Sequence, residues 1–239
     1  MSSVAAGWAP SDPGQWVSLT NTSGVTTLAR WTPTIASSHN NGVHLAQHPI
    51  SRDLWFEWGP LNTCDSSTAN TLPVQRLRAT PSGTAWTVGT AVTVGTFSTT
   101  NNYQCLTGSV VTTPHYVWFQ RCSGDTGIVI DKVDQHGVVT PNALPSPWGG
   151  PRSAADVAFS VNAAETEAWI GGWIPYDSWI EPNAFFAMHW DGTRWTRYND
   201  IDLGDTAAVG QSVGWDNGLV FVVPNWDTRL PALATIRTE

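Results

Sequence analysis

The chain has 239 residues, only 13% of them charged, and a formal net charge of −8. It offers no basic stripe for phosphates, which argues against a nucleic-acid partner. No apolar run is long enough to cross a bilayer, so membrane insertion is not expected either, and the length allows one large domain or two small ones.

The opening segment, "MSSVAAGWAPSDPGQW", has neither the basic nor the continuous apolar stretch of a signal peptide. Either the protein is cytosolic or a leader has been removed. A single lysine, Lys132, and abundant Thr, Asn and Gly favour the secreted reading. Two short segments with Trp follow, "GQWVSL" at Trp16 and "ARWTPT" at Trp31. Beyond them, short runs rich in Val, Thr, Trp and Phe alternate with turn residues drawn from 21 Gly and 16 Pro. In chain order the runs are "VHLAQH", "DLWFEW" and "VQRLRA"; "CLTGSVV", "YVWFQR" and "GIVIDKV"; "DVAFSV", "EAWIGGW" and "AFFAMHW"; and "AAVGQSV", "GLVFVV" and "LPALATI". No dozen residues repeat their apolar positions at helical spacing, so the runs predict an all-β protein.

The runs group in threes, as strands A, B and C of a unit. Three A strands share a Ser-Val pair, at Ser109-Val110, Ser160-Val161 and Ser212-Val213. Each C strand but the last leads through a turn to a fourth segment, D, at Trp86, Val139 and Trp195. In "MHWDGTRW", Asp191-Gly192 suits a two-residue hairpin turn that would set Trp190 opposite Thr193. Asn217-Gly218 in "WDNGLVF" suggests a second such turn, between A and B.

Four strands per unit, repeated at about 50 residues, is the spacing of propeller blades. It predicts a small β-propeller as a single domain over 1–239, with four clear four-stranded repeats and room for a fifth blade. The last unit lacks a D strand, so an N-terminal segment, at Trp31 or Trp16, is expected to pair with the C-terminal strand. That pairing would close the ring and remove an exposed edge. If both N-terminal segments are used, they begin a partial fifth blade. A β-sandwich could use as many strands, but it gives no reason for an internal repeat.

An Asp followed by Ser or Thr recurs at Asp65, Asp125, Asp177 and Asp227, at spacings of 60, 52 and 50 residues. Each falls in a B-to-C loop, and on a propeller these loops share one face with the D-to-A loops. Such a pair is a good turn former in its own right. Its neighbours point to a ligand. Trp58 opens the first loop and Arg121 precedes the second, while Trp173, Tyr176 and Trp179 surround the third. Trp226 and Arg229 flank the fourth Asp, and Trp148 lies in the D-to-A loop "SPWGGPRS". Leaving one large apolar side chain in water costs about 1.5–3 kcal/mol, so grouped rings mark binding surfaces.

Rings edged by Asp, Asn and Arg suit sugars, whose C–H faces stack on Trp while charged groups bind the hydroxyls. In repeat length and strand order the chain resembles small β-propeller lectins of the tachylectin type. The turn "DGTRW" is similar to a degenerate Asp-box, the C-to-D turn of sialidase-like propellers, without its leading Ser or full spacing. The resemblance implies a carbohydrate-binding protein with a glycan or other small ligand as partner. It assigns no binding residues one by one.

No nucleophile elbow, phosphate-binding glycine loop or H-E-x-x-H appears, and no cofactor is expected. His44 and His48, four apart in a strand-like stretch, stand about 13 Å apart, so no metal site is expected there. Two other classes stay open. Asp125, Asp177, Glu181 and Asp227 could supply the acid and base of a glycosidase, or a Trp-lined funnel could suit a lyase or cyclase. The same face could instead hold a protein partner. Finally, "QCLTGSVVTTPHYVWFQRC" reads as a hairpin whose facing residues sum to 227. This sets Val111 opposite Tyr116 and Cys105 opposite Cys122, and predicts a Cys105–Cys122 disulfide with Cys64 free.

Overall fold

The computed structural model describes residues 3–9, 12–21, 24–31, 44–58, 71–83, 85–98, 109–123, 127–147, 155–174, 184–201, 211–215, 217–224 and 231–237. Among them every regular element is a strand. The stretch Val117–Ser123 shows why. Val117 and Phe119 pack with Trp55 and Val133 on one side, while Trp118 packs with Ile130, Phe159 and Ile170 on the other. Alternate residues thus fill two different cores, a demand that the period of two in a strand meets and a helix does not.

The strands form five antiparallel sheets, each from consecutive segments. The first sheet contains β1 (Ser3–Ala9), β2 (Asp12–Asn21) and β3 (Gly24–Trp31). The second contains β4 (His44–Gln47), β5 (Leu54–Trp58) and β6 (Thr71–Ser82), with β7 (Ala85–Val88) and β8 (Val92–Ser98) both on β6. The third runs β9 (Val110–Thr112), β10 (Val117–Ser123), β11 (Gly127–Val133) and β12 (Val139–Leu144). The fourth runs β13 (Ala155–Val161), β14 (Ala168–Ile174), β15 (Ala184–Trp190) and β16 (Trp195–Ile201). The fifth has β17 (Gln211–Trp215), β18 (Gly218–Pro224) and β19 (Pro231–Arg237).

From the second sheet onward, first strands lie against one another in series: β4 on β9, β9 on β13 and β13 on β17. The turns after these strands are stitched from sheet to sheet. His48 Nδ1 faces the N–H groups of Ile50 and Ser51, so its proton sits on Nε2, which donates to the His115 carbonyl at 3.0 Å. Glu165 accepts from the Thr113 hydroxyl and from the His115 N–H at 2.9 Å. Ser160 Oγ donates to the Gly218 carbonyl at 2.7 Å. These bonds join four successive sheets at one end.

Each of the twelve A, B and C runs overlaps a strand, and Trp86, Val139 and Trp195 lie in the fourth strands β7, β12 and β16. Four expectations need correction. First, β19 pairs with β18 alone among the described residues, and the segments at Trp16 and Trp31 pair with each other as β2 and β3. Both N-terminal segments are used, but in a sheet of their own. Second, β8 continues the fourth strand of the second sheet beyond a break at 89–91. Third, Trp190 faces Trp195 rather than Thr193, since Asp191 N–H bonds Arg194 O and the turn tip is Gly192-Thr193, with Gly192 at φ +93°. Likewise Gly218 pairs with Trp215 and belongs to β18, where a Cβ would lie 2.3 Å from the Ile236 carbonyl oxygen. Fourth, β9 and β10 pair at a sum of 229, with Val111 opposite Trp118. The register behind the proposed disulfide therefore does not hold. Cys122 pairs with Ile128 across β10 and β11, and Cys105 and Cys64 lie outside the described residues.

Candidate functional site

Three of the ring and guanidinium positions chosen from sequence fall on described backbone, near the end of the second strand of three successive sheets. Trp58 closes β5 opposite Gln75, Arg121 sits in β10 opposite Val129, and Trp173 sits in β14 opposite Phe185. In chain order the four Asp-Ser/Thr pairs lie between the second and third strands of the last four sheets. Asp65, Asp125, Asp177 and Asp227 themselves lie outside the described residues, as do Trp148, Tyr176, Trp179, Glu181, Trp226 and Arg229. The second strands that lead into these connections thus end away from the turns stitched by His48, Thr113 and Glu165.

Just inside that end is an ion cluster that the sequence reading did not single out. Arg76 Nε and Nη2 donate to Glu57 Oε2 at 3.0 and 2.7 Å, and Nη2 also reaches Asp131 Oδ2 at 3.1 Å. The guanidinium carbon lies 3.9 Å from the centre of the Phe119 ring. Asp131 Oδ1 accepts the backbone N–H of Asn142, whose φ is +50°. All three charged residues are at most 3% exposed. The signal was available: "VQRLRA" places two Arg on one face of a strand, and "DLWFEW" places Asp and Glu on the facing stretch. The cluster joins the second sheet to the third, with Glu57 next to the last residue of β5. Its burial rules out direct contact with a ligand in this arrangement; it holds the strand ends from which the 59–70 connection departs.

The far end carries turns built on carboxylates. Asp191 Oδ1 accepts from Thr193 N–H at 2.8 Å, Thr193 Oγ1 at 2.6 Å and Arg194 N–H at 2.9 Å. The Thr193 hydroxyl, then the two backbone N–H groups, lower its pKa to about 2. Asp134 does the same work between β11 and β12, with its pKa lowered chiefly by the Val138 N–H. Here the degenerate Asp-box-like segment acts as a turn clamp. Also at this end, Trp169 stacks on His189, with ring centres 4.4 Å apart, and His189 Nε2 lies 3.0 Å from Glu167 Oε2. Among the described residues no group of three or more His, Cys, Asp or Glu side chains is arranged to hold a metal.

No protein-family model and no curated protein matches the chain. Among solved structures it is similar to a candidate exo-beta-1,3-galactanase from Bifidobacterium bifidum s17, at 11% identity and a TM-score of 0.50, over 95% of this chain and 80% of that one. It also matches Trypanosoma rangeli sialidase in complex with the inhibitor DANA, at 11% identity and a TM-score of 0.34, over 94% of this chain and 50% of that one. At that identity the first likeness describes the fold, and the second is too weak to add to it.

Proposed function

We propose that the chain is a small β-propeller that binds carbohydrate on the face formed by its B-to-C and D-to-A loops. The observation that carries this reading is the shared position of Trp58, Arg121 and Trp173 at the same end of successive second strands. The Asp-Ser/Thr connections leave from that end. In this reading Trp173, Tyr176, Trp179 and Trp226 supply stacking faces. Asp177, Asp227 and Arg229 bind hydroxyls, with Trp58, Asp65, Arg121, Asp125 and Trp148 around them. The first strands form the inner ring, and the first sheet supplies a fifth, three-stranded blade. An enzyme acting on a glycan draws equal support, because the neighbouring fold includes a candidate exo-beta-1,3-galactanase. In that case Asp125, Asp177, Glu181 and Asp227 are the carboxylates to consider.

Incubation with a β-1,3-galactan, alongside a glycan array, separates the readings. Retention without released sugar supports the lectin, and released sugar supports the enzyme. Neither retention nor release on any glycan would overturn both and leave a protein partner for this face.

A further inference from the structure

We infer that the seam between the second and third sheets holds an internal water that accepts from Trp55 Nε1 and donates to Asp53 Oδ1. One position recurs in two successive sheets. Trp55 faces Ala46 across β4 and β5, as Trp118 faces Val111 across β9 and β10. Just beyond the first strand, His48 N–H bonds the Asp53 carbonyl and Thr113 N–H bonds the Tyr116 carbonyl. His48 and Thr113 are therefore equivalent, as are the two tryptophans.

In the third sheet the indole is satisfied within the protein: Trp118 Nε1 donates to Thr113 Oγ1 at 2.9 Å. In the second sheet that hydroxyl is replaced by the His48 ring, and both ring nitrogens are already committed, to the Ile50 and Ser51 N–H groups and to His115 O. Trp55 Nε1 is left without a partner among the described residues, although Trp55 is only 6% exposed. Asp53, 1% exposed, spends Oδ2 on Arg78 and Ser51 and leaves Oδ1 unpartnered. Arg78 ties the two groups together, since its guanidinium also lies 5.5 Å from the Trp55 ring centre. Buried polar atoms in folded proteins are nearly always hydrogen-bonded, to protein or to ordered water.

The chemistry selects the occupant. The site offers one N–H donor and one carboxylate acceptor. An anion would satisfy Trp55 but be repelled by Asp53, Glu57 and Asp131, which outnumber Arg76 and Arg78 in the same seam. A cation would satisfy Asp53 but face the indole N–H. Water donates and accepts, so it supplies to Trp55 Nε1 the acceptor that the Thr113 hydroxyl supplies to Trp118 one sheet further on. The seam also contains the unpartnered Arg76 Nη1.

The test is a water-contact NMR experiment on Trp-labelled protein, with Trp55→Phe to assign one indole peak among 15 tryptophans. The expected result is a direct contact between bound water and the Trp55 indole N–H, lost in the variant. A Trp55 indole that contacts only protein protons would overturn the inference. If the variant does not fold, a crystal structure that resolves ordered solvent decides instead. A solvent peak bridging Trp55 Nε1 and Asp53 Oδ1 supports the site, and a protein acceptor or an empty map at Nε1 refutes it.

Discussion

At the scale of single residues, Arg76 is the side chain whose loss should be felt most. It pairs with two buried carboxylates, so Arg76→Met removes the guanidinium that Glu57 and Asp131 share. Breaking such a pair typically costs about 3–5 kcal/mol. The expected outcome is a large drop in the urea midpoint at unchanged slope. Arg76→Met combined with Glu57→Leu should lose less than the two single variants summed, because one orphaned charge is removed with its partner. Asp191 makes the opposite case, since it is exposed and its effect is confined to acid. Its folded pKa of about 2 lies below the ordinary 3.8, so its charge stabilises the fold above pH 3.8 and that contribution fades as pH falls toward 2. Asp191→Asn keeps an acceptor oxygen but has no charge. Its melting temperature should fall below that of wild type at neutral pH, and the gap should close as pH drops through this window.

At the scale of elements, alternation of apolar residues made the strands legible, but the turns were read one place out, which moves each facing partner by two. Gly218 is the instructive case. As half of an Asn-Gly pair it looked like a turn glycine, yet it sits in β18, where β19 passes too close for any side chain. A Cβ there would meet Ile236 O at 2.3 Å and Arg237 Cβ at 2.7 Å. Gly218→Ala should therefore push β19 outward and destabilise by about 1–3 kcal/mol. Gly83, at φ +60° with nothing within 4 Å of an added Cβ, has only backbone strain to lose. Gly83→Ala should cost about 1–2 kcal/mol and leave β19 in place. Hydrogen exchange separates the two, with protection lost at β18–β19 only in the Gly218 variant. The hairpin register behind the cysteine pairing failed for a related reason. The sum of 229 in place of 227 keeps every side chain on its expected face but moves each partner by two residues. Face alternation is written in the residue pattern, whereas register is set by turn geometry that composition does not reveal.

At the scale of the whole molecule, the order of sheets and the connections holding the repeated Asp were readable from the recurrence alone. Terminal pairing was not, because the expectation rested on relieving an exposed edge rather than on any complementary pattern between Trp16 or Trp31 and β19. The Arg76 cluster was missed because its members are remote in sequence and meet only when the second and third sheets pack. The central claim is that the end carrying Trp58, Arg121 and Trp173 is a carbohydrate-binding face. Its most direct test is calorimetric titration of the best array ligand into wild type, Trp173→Ala, Trp226→Ala and Asp191→Asn. The account predicts that each tryptophan variant loses about 2 kcal/mol or more, roughly thirtyfold in Kd, as central anchors do. Asp191→Asn, at the far end, should bind as wild type does. Wild-type affinity in both tryptophan variants, or a loss confined to Asp191→Asn, would contradict it.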